Sequence, residues 1–126
     1  MKEYSHPSTE QISLTAVLEA LSDPSRLDIV LSLADQGEAN CSELMGSGSS
    51  SKPNHTYHLT RLREAGVTRV RPVGTRRMVT LRWDDLNARF PGLLEGIIAN
   101  ARRDRQQRGL APASDARAQP PSPTSL

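Results

Sequence analysis

Residues 54–66 read NHTYHLTRLREAG, a stretch that we interpret as a helix with two different faces. On a helical wheel, Leu59 and Leu62 share one face with His55, with His58 at its edge, so this face is expected to pack inward. Ser51 is a suitable N-cap, with Lys52 and Pro53 in the first turn, and Gly66 is a suitable end. The outward face then carries polar side chains: Asn54, Thr56, Tyr57, Thr60, Arg61 and Glu64.

The next stretch, VTRVRPVGTRRMVTLR at residues 67–82, predicts a β-hairpin. Val70, Val79 and Leu81 alternate with arginines on either side of a turn at Val73–Thr75, which is the period of a half-buried strand. A helix followed at once by a basic hairpin is the arrangement of a helix-turn-helix with a wing.

Capping signals predict three helices before this stretch. A capping box at residues 8–11 opens the first, Asp23-Pro24 opens a second that ends at Gly37, and residues 40–45 form a short third. Residues 46–51, GSGSSS, break the third helix. A short helical turn at residues 84–90 and a longer helix from Pro91 follow the hairpin.

The predicted fold is mainly α with a small β-hairpin: a winged helix-turn-helix with the order α-α-α-α-β-β-α. We expect an N-terminal arm at residues 1–8, a single domain at residues 9–107, and a disordered tail at residues 108–126, where proline, serine and alanine dominate. With 126 residues, 36% of them apolar, and no long apolar run, the sequence excludes a membrane span and predicts a cytoplasmic protein.

Charge is unevenly distributed along the chain. Residues 1–51 carry two basic and eight acidic residues, whereas residues 52–82 carry eight basic residues and only Glu64 as an acid. A basic segment in an otherwise acidic chain indicates contact with a polyanion. Asparagine pairs with adenine and arginine with guanine in the major groove, so we predict double-stranded DNA as the partner. The predicted DNA contacts are Lys52, Asn54, Thr56, Tyr57, Thr60 and Arg61 from the helix, and Arg71, Arg76 and Arg77 from the wing.

The sequence resembles the ArsR/SmtB family of bacterial winged-helix repressors. The similarity is carried by LEALSDPSRLDIVLSLADQGE (18–38), CSEL (41–44), SKPNHTYHLTRLREAGV (51–67) and GTRRMVTLR (74–82). It implies a homodimer, joined through its first and last helices, that binds a two-fold operator and releases it when an effector arrives. The Cys-x-Cys pair of the family's thiolate site is missing around Cys41, and its last-helix site has no histidine here.

Two residues are weak candidates for sensing an effector. Cys41, in the first turn of the third helix, is interpreted as a small buried hydrophobe. The alternative is a redox sensor whose pKa is lowered by the helix dipole. His6 would bind nickel or zinc if the N-terminal arm met a partner subunit; otherwise it is an unstructured terminal histidine. His55 and His58 are close enough to share a metal, but we expect them to be neutral, buried and hydrogen-bonded.

The predicted function is a sequence-specific, DNA-binding transcriptional regulator, most simply a dimeric repressor responsive to a metal or to redox change. The alternative is a winged-helix module that binds an acidic protein partner or serves as a regulatory subunit; a further protein partner also stays open. No pair of carboxylates, activated nucleophile or phosphate loop indicates an enzyme.

Overall fold

The structure, a computed structural model, describes residues 4–45 and 52–108. The chain divides into two compact units, residues 1–94 and residues 95–126. The described residues form five α-helices and three strands: α1 (Leu14–Leu21), α2 (Pro24–Gln36), β1 (Glu38–Asn40), α3 (Lys52–Glu64), β2 (Thr68–Val73), β3 (Arg76–Leu81), α4 (Trp83–Arg89) and α5 (Leu93–Gln107). The mainly helical winged helix-turn-helix fold is confirmed. None of the described helices has the length and apolar character needed to cross a bilayer.

The sheet is antiparallel, in the order β1-β3-β2. Val70 pairs with Val79 across the predicted hairpin, and Gly74 allows its tight turn with a φ of 61°. The sequence did not predict β1, in which Ala39 pairs with the same Val79. A three-residue strand has too little alternation to be recognised from its own sequence, and β3 supplies its hydrogen bonds.

The first helix begins later than predicted. The Ser8 N–H donates to Gln11 Oε1 at 2.8 Å, as in a capping box, but the box closes only a 3-10 turn at Thr9–Gln11. Ile12 is then extended, with φ −71° and ψ 124°, and its side chain is only 1% exposed. Burying an isoleucine stabilises a fold by about 1.5–3 kcal/mol, which outweighs one turn of surface helix. Ser13 caps α1 instead, accepting from the Ala16 N–H at 3.2 Å.

The third predicted α-helix is a 3-10 helix, Cys41–Met45, in the part of the chain that the structure describes. At its start the Asn40 N–H donates to Glu43 Oε1 at 3.0 Å, as in a capping box. Because β1 holds the chain extended up to Asn40, the helix begins only at Cys41. The GSGSSS break, the Ser51 cap and the predicted tail from residue 109 all lie outside the described residues.

The ends of the other helices follow the sequence closely. Asp23 caps α2 through its carboxylate, which accepts from the Arg26 N–H, and Gly37 ends it. α5 begins at Leu93 rather than at Pro91, because Pro91 and Gly92 form a turn.

The core of the first unit is aliphatic and lies between the helices and the inner face of the sheet. The largest side chains below 2% exposure are Ile12, Val17, Val30, Leu33, Leu62, Val67, Thr68, Val79 and Leu86. Gly66 lets the chain turn from α3 into this core with a φ of 86°, and a Cβ there would lie 2.5 Å from Ile12 Cγ1. Glycine is therefore required at this position both by backbone conformation and by space.

Candidate nucleic-acid interface

α3 has the two faces that its sequence predicts. His55, His58, Leu59 and Leu62 are each 9% exposed or less, so they form the buried face. The predicted contacts on the other face are exposed at Asn54, Thr56 and Tyr57 and partly exposed at Thr60 and Arg61. The side chain of Lys52 lies outside the described part of the molecule.

The two histidines are buried and hydrogen-bonded, as expected. His55 Nε2 lies 3.0 Å from the Cys41 carbonyl oxygen, and since a carbonyl only accepts, Nε2 carries the proton. His58 Nδ1 lies 3.2 Å from Arg26 Nη1, and since a guanidinium only donates, Nδ1 is the acceptor. The Asp23 carboxylate, 3.9 Å from the same Nδ1, therefore faces a neutral ring and does not form a salt bridge with it.

Arg26 anchors α3 against the first two helices. Its side chain is 7% exposed, its Nε donates to the Ala20 carbonyl oxygen at 2.7 Å, and its Nη1 reaches His58. A buried guanidinium must be surrounded by acceptors, because an unpaired buried charge is costly. Arg26 thus connects the end of α1, the start of α2 and the middle of α3, and fixes the angle at which α3 presents its outer face.

Arg61, a predicted base contact, is already paired within the chain. Its Nη2 lies 2.6 Å from Glu19 Oε1 on α1, and its Nη1 lies 3.8 Å from Glu64 Oε1. Its Nε is buried without a hydrogen-bond partner among the described residues. Contact between Arg61 and DNA therefore competes with Glu19.

The wing presents its arginines on two faces, because neighbouring residues of a strand point in opposite directions. On β3, Arg77 lies on the same face as buried Val79, and Arg76 lies on the opposite face. Both side chains are exposed, and neither forms an ion pair with an acidic residue within residues 4–45 and 52–108. Arg71 differs, because its Nη2 lies 2.6 Å from Glu38 Oε2.

The helix and the wing meet at one cleft. Thr56 and Thr60 of α3 line it together with Thr75 and Arg77 of the hairpin. The cleft therefore brings together Thr56, Thr60 and Arg77, three of the nine side chains that the sequence proposed for DNA contact. The structure also shows carboxylate partners for Arg61 and Arg71.

The N-terminal arm was expected to be free, but it is docked along the chain's own body. Arg63 Nε donates to the Ser5 carbonyl oxygen at 3.1 Å, and Arg82 Nη1 donates to the Pro7 carbonyl oxygen at 2.8 Å. His6 Nε2 accepts from the Val70 N–H at 3.1 Å, on the edge strand of the sheet. Burial lowers the pKa of His6, and Arg69, Arg82 and Arg63 lower it further. The expectation of an unstructured terminal histidine is therefore wrong.

The lowered pKa that the sensor alternative requires at Cys41 is contradicted. Burial raises the pKa of its thiol, and the nearby Arg77 only partly opposes this effect. Cys41 begins a 3-10 helix, Cys41–Met45, so the described residues around it offer no long aligned α-helix to stabilise a thiolate. Within the described residues, no group of three or more His, Cys, Asp or Glu side chains could hold a metal ion. Nickel or zinc binding at His6 stays a prediction.

Sequence reasoning missed the residues that position the interface. Buried Arg82 carries a charge that the sequence counted in the basic segment, buried Arg26 was not singled out, and Glu19 lies 42 positions before its partner Arg61. Asp85 accepts from Thr9 Oγ1 at 2.6 Å and from Arg82 Nε at 2.9 Å, so it joins the N-terminal segment to α4. The only local sequence signal for the position of one of these residues was the acidic N-cap Asp23, which lies three residues before Arg26.

Comparison with known proteins gives a consistent result. Residues 23–69 match the family model described as "Bacterial regulatory protein, arsR family". The chain is 39% identical over 82 residues to the uncharacterized HTH-type transcriptional regulator YceK of Bacillus subtilis (strain 168), covering 64% of this chain and 82% of the relative.

Two solved structures of the same fold are also similar. The transcriptional repressor BigR from Xylella fastidiosa is 26% identical, with a TM-score of 0.50, covering 61% of this chain and 85% of that one. An ArsR-like transcriptional regulator from Rhodococcus sp. RHA1 is 24% identical, with a TM-score of 0.54. The match covers 79% of this chain and 93% of that one. The alternative of a protein-interaction module is not favoured by these likenesses. The chain belongs to the arsR family of bacterial regulatory proteins and is a DNA-binding transcriptional regulator.

Proposed function

We propose that this regulator is a repressor that binds a two-fold operator as a homodimer. The observation that carries the proposal is the exposed polar face of α3 beside two wing arginines that have no acidic partner among the described residues. A recognition helix contacts base edges through its N-terminal residues, while basic side chains nearby neutralise phosphates.

The contacts divide by chemistry. Asn54 pairs with adenine, and Thr56 and Tyr57 donate to base edges or phosphates from the first two turns of α3. Arg76 and Arg77 bind phosphates from the wing, Thr60 adds a contact from α3, and Lys52 is proposed as a further phosphate contact on its charge alone. Arg61 and Arg71 bind DNA only by giving up their ion pairs with Glu19 and Glu38. Their net contribution to the free energy of DNA binding is therefore smaller than the sequence suggests.

Apolar side chains on the surface of α1 support a dimer. Leu14 and Leu18 lie one turn apart and are 42% and 44% exposed, in a helix whose other face is buried. In α5, Leu93, Ile97 and Ala101 repeat every four residues and are all partly exposed. We propose that a second copy covers these stripes, which makes residues 9–107 a DNA-binding domain with its own dimerisation helix.

Repression is the mode of action most consistent with the likeness to a protein described as a transcriptional repressor. In the simplest mechanism, the dimer occupies two half-sites about 34 Å apart and excludes other proteins from that DNA.

Binding of the full-length protein to its own promoter region and to scrambled DNA at about 150 mM salt tests the proposal. We expect a dissociation constant of about 10⁻⁸ M on the promoter and binding at least about 10³-fold weaker on scrambled DNA. Equal, weak binding to both DNAs would contradict sequence-specific regulation.

Dimerisation is tested separately by sedimentation of the wild type and a Leu14→Gln, Leu18→Gln double variant. The wild type is expected to sediment as a dimer and the variant as a folded monomer with weakened operator binding. A monomeric wild type that binds the operator as tightly as expected would contradict the dimer.

A further inference from the structure

A cleft of about 300 Å³ lies between α3, the β2–β3 hairpin, the 3-10 helix at Cys41–Met45 and the N-terminal segment. Leu59 and Val70, both buried, give it an apolar surface. A water molecule occupies about 30 Å³ in the liquid, so the cleft accommodates on the order of ten non-hydrogen atoms. Ligand sites in proteins commonly combine an apolar surface with a few converging polar groups.

The charged side chains of the cleft are all positive. Arg63 and Arg77 line it, and its described lining residues include no aspartate or glutamate. Arg63 is held in place, because its Nε donates to the Ser5 carbonyl oxygen and its guanidinium lies 5.2 Å from the ring centre of Tyr4, which also lines the cleft. An arginine that is already ordered loses little conformational entropy when it binds an anion.

The remaining polar groups do not cancel this charge. Burial raises the pKa of the Cys41 thiol, so it stays neutral at neutral pH. His55 is directed to the Cys41 carbonyl oxygen through its protonated Nε2. Hydroxyl groups of Ser42, Thr56 and Thr75 and the amide of Asn40 are hydrogen-bond donors at the cleft.

We propose that this cleft binds a small organic carboxylate with a compact apolar body, such as an aromatic acid. The apolar body packs on Leu59 and Val70, and the carboxylate pairs with Arg77 and Arg63. Arg77 is suited to this contact, since it lies on the inner face of β3 and has no acidic partner within residues 4–45 and 52–108.

The position of the cleft gives binding a consequence, which rests on the proposed function. Thr56 and Thr60 belong to the recognition helix, and Arg77 belongs to the wing. A carboxylate on Arg77 neutralises a charge that would otherwise meet a phosphate. Binding of the carboxylate and of DNA therefore oppose each other, and by linkage each weakens the other equally.

Direct binding to the full-length protein without DNA is the first test, with benzoate as the probe. NMR chemical shifts are followed during titration, with sodium chloride added to the reference sample to match ionic strength. We expect a dissociation constant on the order of millimolar, as for other ligands of about nine non-hydrogen atoms, with the largest shifts around Thr56, Val70 and Arg77.

Two companion probes separate the contributions of charge and apolar body. Acetate keeps the carboxylate without the ring, and benzyl alcohol keeps the ring without the charge. Each is expected to bind at least about fivefold more weakly than benzoate. Equal binding of acetate, as for any simple anion site, would overturn the proposal, as would no benzoate shifts up to about 20 mM.

Arg77→Gln and Arg76→Gln form a matched pair, because they remove the same charge from opposite faces of β3. Arg77→Gln is expected to weaken benzoate binding about tenfold, and Arg76→Gln to leave it within about twofold. Melting temperatures verify that both variants fold. Similar losses in the two variants would overturn the assignment of the site.

The effect on DNA is measured last, with benzoate against benzyl alcohol in promoter binding. Benzoate is expected to weaken promoter binding and benzyl alcohol to leave it unchanged. Benzoate binding at the cleft without an effect on promoter binding would overturn the linkage to DNA. A cleft that binds benzoate in a protein without promoter specificity would instead overturn the proposed function and leave the ligand site standing.

Discussion

Two groups of arginines have the same charge but different surroundings in the structure. Arg26 and Arg82 are 7% and 4% exposed, and each donates to a backbone carbonyl oxygen and to a second side chain. Arg76 and Arg77, on the wing, are exposed and have no acidic partner among the described residues. The buried arginines join separate segments of the chain, whereas the exposed ones remain available to an external anion.

The difference shows that net charge overstates the surface available for DNA. Of the seven arginines between residues 61 and 82, four form ion pairs with carboxylates of the chain: Arg61, Arg69, Arg71 and Arg82. Arg63 donates to a backbone carbonyl oxygen and keeps its charge. Phosphate contacts depend on the charges that remain unpaired, because exchanging one carboxylate for another anion yields little net free energy.

The largest effect is expected from replacing Arg26 with methionine. The variant loses the hydrogen bonds to the Ala20 carbonyl oxygen and to His58, and both acceptors are left buried. We expect the free energy of unfolding to fall by about 3 kcal/mol, measured by urea denaturation. Arg76→Met is the control and is expected to change it by no more than about 0.5 kcal/mol. Comparable effects of the two substitutions would remove the distinction between the two groups.

The next effect concerns DNA rather than stability. Arg76→Gln combined with Arg77→Gln should lower the slope of log K against log salt concentration by about two, because two phosphate contacts are lost. Affinity for promoter and scrambled DNA should fall alike, with the melting temperature unchanged. Arg69→Gln, which removes a charge already paired with Asp85, is the control and should leave the slope nearly unchanged. A slope insensitive to the double substitution would place the phosphate contacts elsewhere.

A smaller change, an increase in affinity for DNA, is expected for Glu19→Gln. Removing the carboxylate leaves Arg61 available to DNA, so promoter affinity should rise by about two- to fivefold. The free energy of unfolding should change by about 1 kcal/mol or less, because the Glu19 side chain is 56% exposed, although it also lies 4.0 Å from the buried Arg26 guanidinium. Fluorescence anisotropy titrations measure the affinity. A loss of affinity would mean that Glu19 holds Arg61 in its DNA-binding position.

The smallest predicted effect is a pH dependence at His6. Arg63, Arg69 and Arg82 and burial lower the pKa of this histidine below its ordinary 6.5, so the unfolded chain binds the proton more readily than the folded one. Stability should therefore decline as pH falls from about 7.5 through 6.5 toward the lowered pKa. In His6→Gln, whose amide oxygen can still accept from the Val70 N–H, this part of the decline should be absent. Identical pH profiles of the wild type and His6→Gln in urea denaturation would refute the contribution of His6 to this pH dependence.

Local signals predicted much of the fold. Asp23-Pro24 and Gly37 bound α2, Gly66 ends α3, and the alternation around Gly74 forms the hairpin, because these signals act within a few residues. The two faces of α3 followed from the same kind of periodicity.

What the sequence did not reveal depends on distant partners. Ile12 breaks the first helix because it enters the core beside Gly66, and β1 exists because β3 pairs with it. Local sequence spacing does not predict that Arg61 pairs with Glu19. It also does not predict that His6 accepts from the Val70 N–H, 64 residues away. The partial burial of Cys41, which raises the pKa that the sensor alternative required to be lowered, is also a tertiary effect.

The central claim is that α3 recognises the DNA sequence while the wing supplies charge. Titration of Asn54→Ala and Arg76→Gln on promoter and scrambled DNA, each across a salt series, tests it directly. Asn54→Ala is predicted to cost about 1–3 kcal/mol on the promoter and nothing on scrambled DNA, whereas Arg76→Gln weakens both equally. Equal losses on both DNAs for Asn54→Ala would contradict the claim that this helix face recognises sequence.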